Sequence, residues 1–141
     1  MTQTAVANRK TATILHLALT LGPVLFIGVA AYLRLRPGAT PPPGMSHPEI
    51  LQYVAYLVAV SGFGMALMLR SRLEPNESGQ DEAAWWTINQ PKMIVIWALI
   101  EGPMLLAGIV FLLQGSLPVV VAVGGCGFLL MLLTAPSRLS R

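Results

Sequence analysis

Charge is what this sequence has least of. Only 11% of its 141 residues are Asp, Glu, Lys or Arg, against about 25% in an ordinary soluble domain. With 55% hydrophobic residues besides, the chain reads as a membrane protein. Cysteine is almost missing too. Cys126 stands alone, which excludes an internal disulfide and any thiolate-rich zinc site, and its place in an apolar run suits a small buried residue. The two histidines, His16 and His47, lack the second His, Cys or carboxylate pair of a metal set, so no metal or other cofactor is expected. No paired acids and no Ser-His arrangement accompany them, and an enzyme is therefore not expected. The nine Lys and Arg residues are scattered in ones and twos at the borders of apolar runs. They suit lipid head groups rather than nucleic acid.

Apolar runs are what the chain has in abundance. Four stand out, at about 12–33, 49–69, 92–113 and 117–134, each close to the roughly 20 residues that cross a hydrocarbon core as a helix. Backbone polar groups inside lipid must be paired within the segment, which favours helices over strands. The expected fold is all-α: a polytopic membrane four-helix bundle forming a single transmembrane domain over residues 1–141. Arg9 and Lys10 precede the first run as they would in a signal peptide, but that run exceeds the roughly 7–15 residues of a signal h-region. It is read as a retained helix.

Basic residues set the orientation. Arg9, Lys10, Arg70, Arg72, Lys92, Arg138 and Arg141 fall on one side, and Arg34 and Arg36 on the other. The positive-inside rule then puts both termini and the central loop in the cytoplasm.

Two helix pairs repeat each other. "ALTLGPVLFIG" at 18–28 aligns with "ALIEGPMLLAG" at 98–108, and "VAVSGFGMALML" at 58–69 with "VAVGGCGFLLML" at 121–132. A duplicated two-helix unit with parallel copies accounts for this, and places helix 1 against helix 3. The Gly22-Pro23 and Gly102-Pro103 pairs would then mark matching kinks. Leu21 holds in one copy the place that Glu101 takes in the other.

The loops carry local signals. Ser46 with Glu49 reads as a capping box opening helix 2 beside Pro48, leaving His47 as a loop residue. Residues 81–89 suggest a short helix at the membrane surface, with Trp85 and Trp86 as interface anchors or as a docking surface for a cytoplasmic partner. Pro91 would bend or restart the chain into helix 3.

Glu101 is the residue that needs explaining. Ten residues past Pro91, at about 1.5 Å per residue, it lies roughly 15 Å deep, near the middle of a bilayer. An acid there costs at least about 2.5 kcal/mol to insert, so it must face protein or water, and desolvation favours its protonated form. Thr20 and Ser61 fall at nearly the same depth, with His16 one turn closer to the cytoplasm. These four residues form a candidate proton- or ion-handling layer. Alternatively, each hydroxyl bonds back to its own helix. Pro23 and Pro103 free the carbonyls of Leu19 and Leu99, and the glycines of helices 2 and 4 allow close approach to that loosened backbone.

Two resemblances follow from these residues. "NQPKMIVIWALIEGP" is similar to the signature of a functionally unnamed group of small four-helix bacterial inner-membrane proteins with an A-L-x-E-G-P helix, here Ala98, Leu99, Glu101, Gly102 and Pro103. That likeness implies a multi-pass protein of the bacterial inner membrane. Helix 2 with "SGFG", the loop ending in Gln90-Pro91 and helix 3 with Glu101 also resemble the proteolipid (c-subunit) hairpin of rotary ATPases. The hairpin implies a protonatable carboxylate.

Two functions are expected on this basis. One is a proton- or cation-handling component of a membrane complex, with Glu101 as the titrating group. The alternative is a non-catalytic scaffold or accessory subunit that packs against a larger membrane complex or binds lipid or quinone. Either implies the lipid bilayer as surroundings and further copies or other membrane subunits as partners.

Overall fold

A computed structural model describes residues 2–37, 48–74 and 82–139 of the chain. Among these the protein is an all-α bundle. Its elements are α1 (Thr2–Leu35), α2 (Pro48–Arg70), α3 (Glu82–Gln114), α4 (Leu117–Leu133) and a final turn, α5 (Pro136–Leu139). Ser46, His47 and Asp81 lie outside the described residues. The capping box expected from Ser46 and the start of the 81–89 helix therefore go without structural description.

Helix α3 is the centre of the bundle. It makes the most extensive contacts of any element, first with α1 and then with α2, whereas α1 and α2 scarcely touch each other. Named contacts give the directions. Gly22 sits by Glu101, Phe26 and Ile27 by Gly108, and Arg34 by Gly115, so α1 and α3 run parallel. Gly62 meets Leu99 and Pro103, and Gln52 hydrogen-bonds Gln114 (3.2 Å), so α2 runs antiparallel to α3. Met104 fills the space over Gly127, and Trp97 bonds to Thr134, so α4 descends along α3 as well.

Two features differ from the sequence expectation. Among the described residues no separate surface helix covers 82–89, because Glu82–Gln114 is one helix that contains both Pro91 and Pro103. Pro91 itself is exposed, while Trp86, Asn89, Met93, Ile96 and Trp97 form one fully buried stripe at helical spacing on either side of it. Packing along that stripe carries the helix through the proline, which otherwise breaks or bends a helix at a cost of about 3 kcal/mol. Second, three helices are long and apolar enough to cross a membrane, and α4 with its 17 residues is shorter. It also contains a π turn over Val120–Gly124 that has no counterpart in α2.

The exterior is oily. Tyr53, Leu57, Val60, Leu35, Tyr32 and Val121 are each at least 70% exposed, on helices long and apolar enough to cross a membrane or, for Val121, on the shorter apolar α4. Inside, one cluster gathers Trp86, Met93, Ile96, Trp97, Ile100, Met104 and Met131 toward one end. A second, of smaller residues such as Ala55, Ala59, Ala107, Val110 and Val119, occupies the other. Small residues there let the helices converge. Gly115 ends α3 with a positive φ of 72°, which glycine adopts freely.

Candidate functional site around Glu101

Glu101 lies on the α1 side of α3, partly exposed on the outside of the bundle. A Cβ built on Gly22 would stand 3.5 Å from Glu101 Oε1, so the carboxylate rests over the glycine. The two Gly-Pro steps therefore sit at one level of the bundle. Among the described residues, no hydrogen-bond donor or cation meets the carboxylate.

The other residues expected in a polar layer are placed differently. Thr20 is buried, and its hydroxyl donates to the His16 carbonyl at 2.7 Å. Ser61 is exposed, donating to the carbonyls of Leu57 (2.8 Å) and Val58 (3.2 Å). Both hydroxyls thus bond within their own helices. His16 uses its ring elsewhere: Nε2 donates to the Met131 carbonyl at 3.0 Å, and the ring stands edge-on to Trp97 with centres 5.0 Å apart. No hydrogen bond joins Thr20, Ser61 or His16 to Glu101 among the described residues.

The reason is rotational position about α3. Leu99 and Pro103 face Gly62 on α2. At about 100° per residue, Glu101 falls between them in sequence yet on the far side of the helix. Depth was shared, and direction was not. Between these two edges lies an uncovered strip that includes Val95, Ala98, Gly102 and Ile109. On its α2 side it opens into an apolar groove of about 290 Å³ lined by Val58, Ser61, Gly62, Met65, Ala98 and Gly102.

Pro103 removes the donor that would bond the Leu99 carbonyl. Gly62 presses against that oxygen, where even a Cβ would come within 2.8 Å. Gly102 has open space beside it, so the Gly-Pro pair is not sealed on that side.

The tryptophan pair does not face outward. Trp85 and Trp86 are 2% and 0% exposed, which corrects the expectation of exposed interface anchors. The two rings pack perpendicular to each other, edge to face, with centres 5.0 Å apart. Trp85 Nε1 donates to the Glu74 carbonyl at 2.8 Å, and fully buried Asn89 accepts from Glu74 N (3.3 Å) and donates to the Trp85 carbonyl (3.1 Å). Both indoles belong to the core cluster between the helices, and the chain leaving α2 caps Trp85.

Three polar residues escaped the sequence reading. Asn89, Trp97 and Thr134 tie the helix ends together, with Trp97 Nε1 donating to the Thr134 carbonyl at 3.1 Å. The available signal was spacing: Asn89, Met93, Ile96 and Trp97 share one face of α3. Among the described residues, no group of three or more His, Cys, Asp or Glu gathers. Comparison with protein-family profiles, curated proteins and solved structures finds no match to this chain.

Proposed function

We propose that this protein is a small, multi-pass subunit of the bacterial inner membrane whose Glu101 takes up and releases a proton or cation within an assembly of several copies or with other membrane subunits. The observation that carries this is the Glu101 carboxylate itself. It sits within the apolar helix Ala84–Gln114, and no partner for it is found among the described residues. Acids at membrane depth are rare and mark ion pathways, relays or paired sites. Both termini are cytoplasmic in this proposal, supported by the basic residues and by the antiparallel descent of α4 along α3.

Liposomes carrying the purified chain, loaded with a pH-sensitive dye and driven by a potassium diffusion potential, test it. Wild type is expected to pass protons, Glu101→Asp to retain part of that flux, and Glu101→Gln to lose it. If Glu101→Gln conducts like wild type, Glu101 is not the coupling group.

One observation favours the scaffold alternative. Thr20, Ser61 and His16 spend their donors on backbone carbonyls, so among the described residues no side-chain chain of donors leads from Glu101 to either end. A subunit that only packs beside an ion path would look like this, and its Glu101→Gln variant would still assemble.

A further inference from the structure

Glu101 and Ser61 stand at the same level on opposite edges of the uncovered strip of α3. Gly62 is opposite Leu99 and Pro103, which bracket Glu101, so Ser61 lies within about one residue rise, roughly 1.5 Å, of its level. Within one chain they cannot meet. Glu101 is on the α1 edge, beside Gly22, and Ser61 is on the α2 edge, lining the groove with Ala98 and Gly102.

We infer that this strip is the contact between two copies of the chain, in which each Glu101 is hydrogen-bonded to Ser61 of the partner subunit. The inference rests on the chain being a membrane protein, as proposed above. Two copies inserted in the same direction are related by an axis along the membrane normal, and such an axis keeps every residue at its own depth. Laying one strip on the other puts the α1 edge of each copy against the α2 edge of its partner. Glu101 then faces the partner's Ser61 twice over, the reciprocal arrangement of a two-fold interface.

Chemistry agrees with geometry. The Ser61 proton is committed to the Leu57 and Val58 carbonyls, which leaves its oxygen free to accept. A protonated carboxyl has one O–H to donate and, in its own copy, no acceptor among the described residues. Ala98 and Gly102 on the strip let two α3 helices approach closely, as small residues do in membrane interfaces. A lipid tail in the groove would satisfy neither Glu101 nor Ser61.

Disulfide trapping in native membranes tests this, in a Cys126→Ser background. Differently tagged Glu101→Cys and Ser61→Cys chains, expressed together and oxidised, are expected to link to each other several-fold more than either links to itself. Ala98→Cys, near the axis, is expected to form a homodimer. Val60→Cys is the control, since it is 74% exposed and one residue from Ser61 on another face. Adding Ser61→Ala to Ala98→Cys should lower the linked fraction about tenfold at limiting expression, the effect of losing two interhelical hydrogen bonds.

Linking of Val60→Cys to Glu101→Cys as strongly as Ser61→Cys overturns the inference, and so does absence of the Ala98→Cys dimer. Carbonate extraction distinguishes failure of the two-copy contact from failure of membrane insertion. A chain retained in the membrane yet unlinked removes the two-copy contact alone, whereas a chain released by carbonate removes the membrane proposal and the contact with it.

Discussion

Gly62 and Leu99 meet backbone to backbone, with so little room that a Cβ on the glycine would fall 2.8 Å from the Leu99 oxygen. The contact joins α2 to α3 at the carbonyl that Pro103 leaves without its helical donor. Gly62→Ala is expected to push the helices apart at a cost of about 1–3 kcal/mol, the range for overpacking a tight site. Gly64→Ala, facing open space, should be near neutral. Unfolding in mixed detergent micelles measures both, and equal losses would mean that the Gly62 contact is not tight.

Asn89 holds the chain that leaves α2. Replacing it with Leu leaves the Glu74 N–H without its Asn89 partner and removes the side-chain bond to the Trp85 carbonyl, and should cost about 1–3 kcal/mol. Removing Lys92, whose exposed pair with Glu74 spans 3.7 Å, should cost less than about 1 kcal/mol. Thermal unfolding of the two variants gives the order, and a larger loss for Lys92→Ala would contradict it.

His16 and Trp97 secure the end of α4 from two helices. Trp97→Phe removes the bond to Thr134, and His16→Ala removes the bond to Met131. Each is expected to speed amide exchange over 131–134 while leaving 104–110 unchanged. Because the two rings touch, the double variant should differ from the sum of the singles. Additive effects would show that the rings act separately.

Glu101 should react with a hydrophobic carbodiimide, which needs the protonated acid. Labelling is expected at Glu101 and absent in Glu101→Gln. Raising the pH ionises the carboxyl, so labelling must fall in that direction. Mass spectrometry of the labelled chain shows which acid reacts. Modification confined to Glu49 or Glu74 would place Glu101 outside the reagent's reach.

Orientation is open to direct measurement. In a Cys126→Ser background, cysteine at Ser46 should react with an impermeant thiol reagent applied outside, and cysteine at Ser78 only after lysis. The reverse pattern would invert the topology.

Several properties of this protein are local, and the sequence alone determined them. A run of apolar residues about 20 long makes a helix in lipid because its backbone must pair within itself, whatever lies beside it. Depth is local as well. It follows from rise per residue, and the nearly shared depth of Thr20, Ser61 and Glu101 was read from counting. Direction about the helix axis is another matter, because it depends on which side chains of other helices fill the neighbouring space. Only the tertiary structure turned Glu101 toward α1 and Ser61 to the opposite edge of α3. The same holds for Trp85 and Trp86, whose type suits a membrane border but which pack into the core cluster, Trp85 with its indole N–H on the Glu74 carbonyl. It holds for Pro91 too, where a buried stripe from Trp86 to Trp97 keeps one helix going past a residue that by itself would end it.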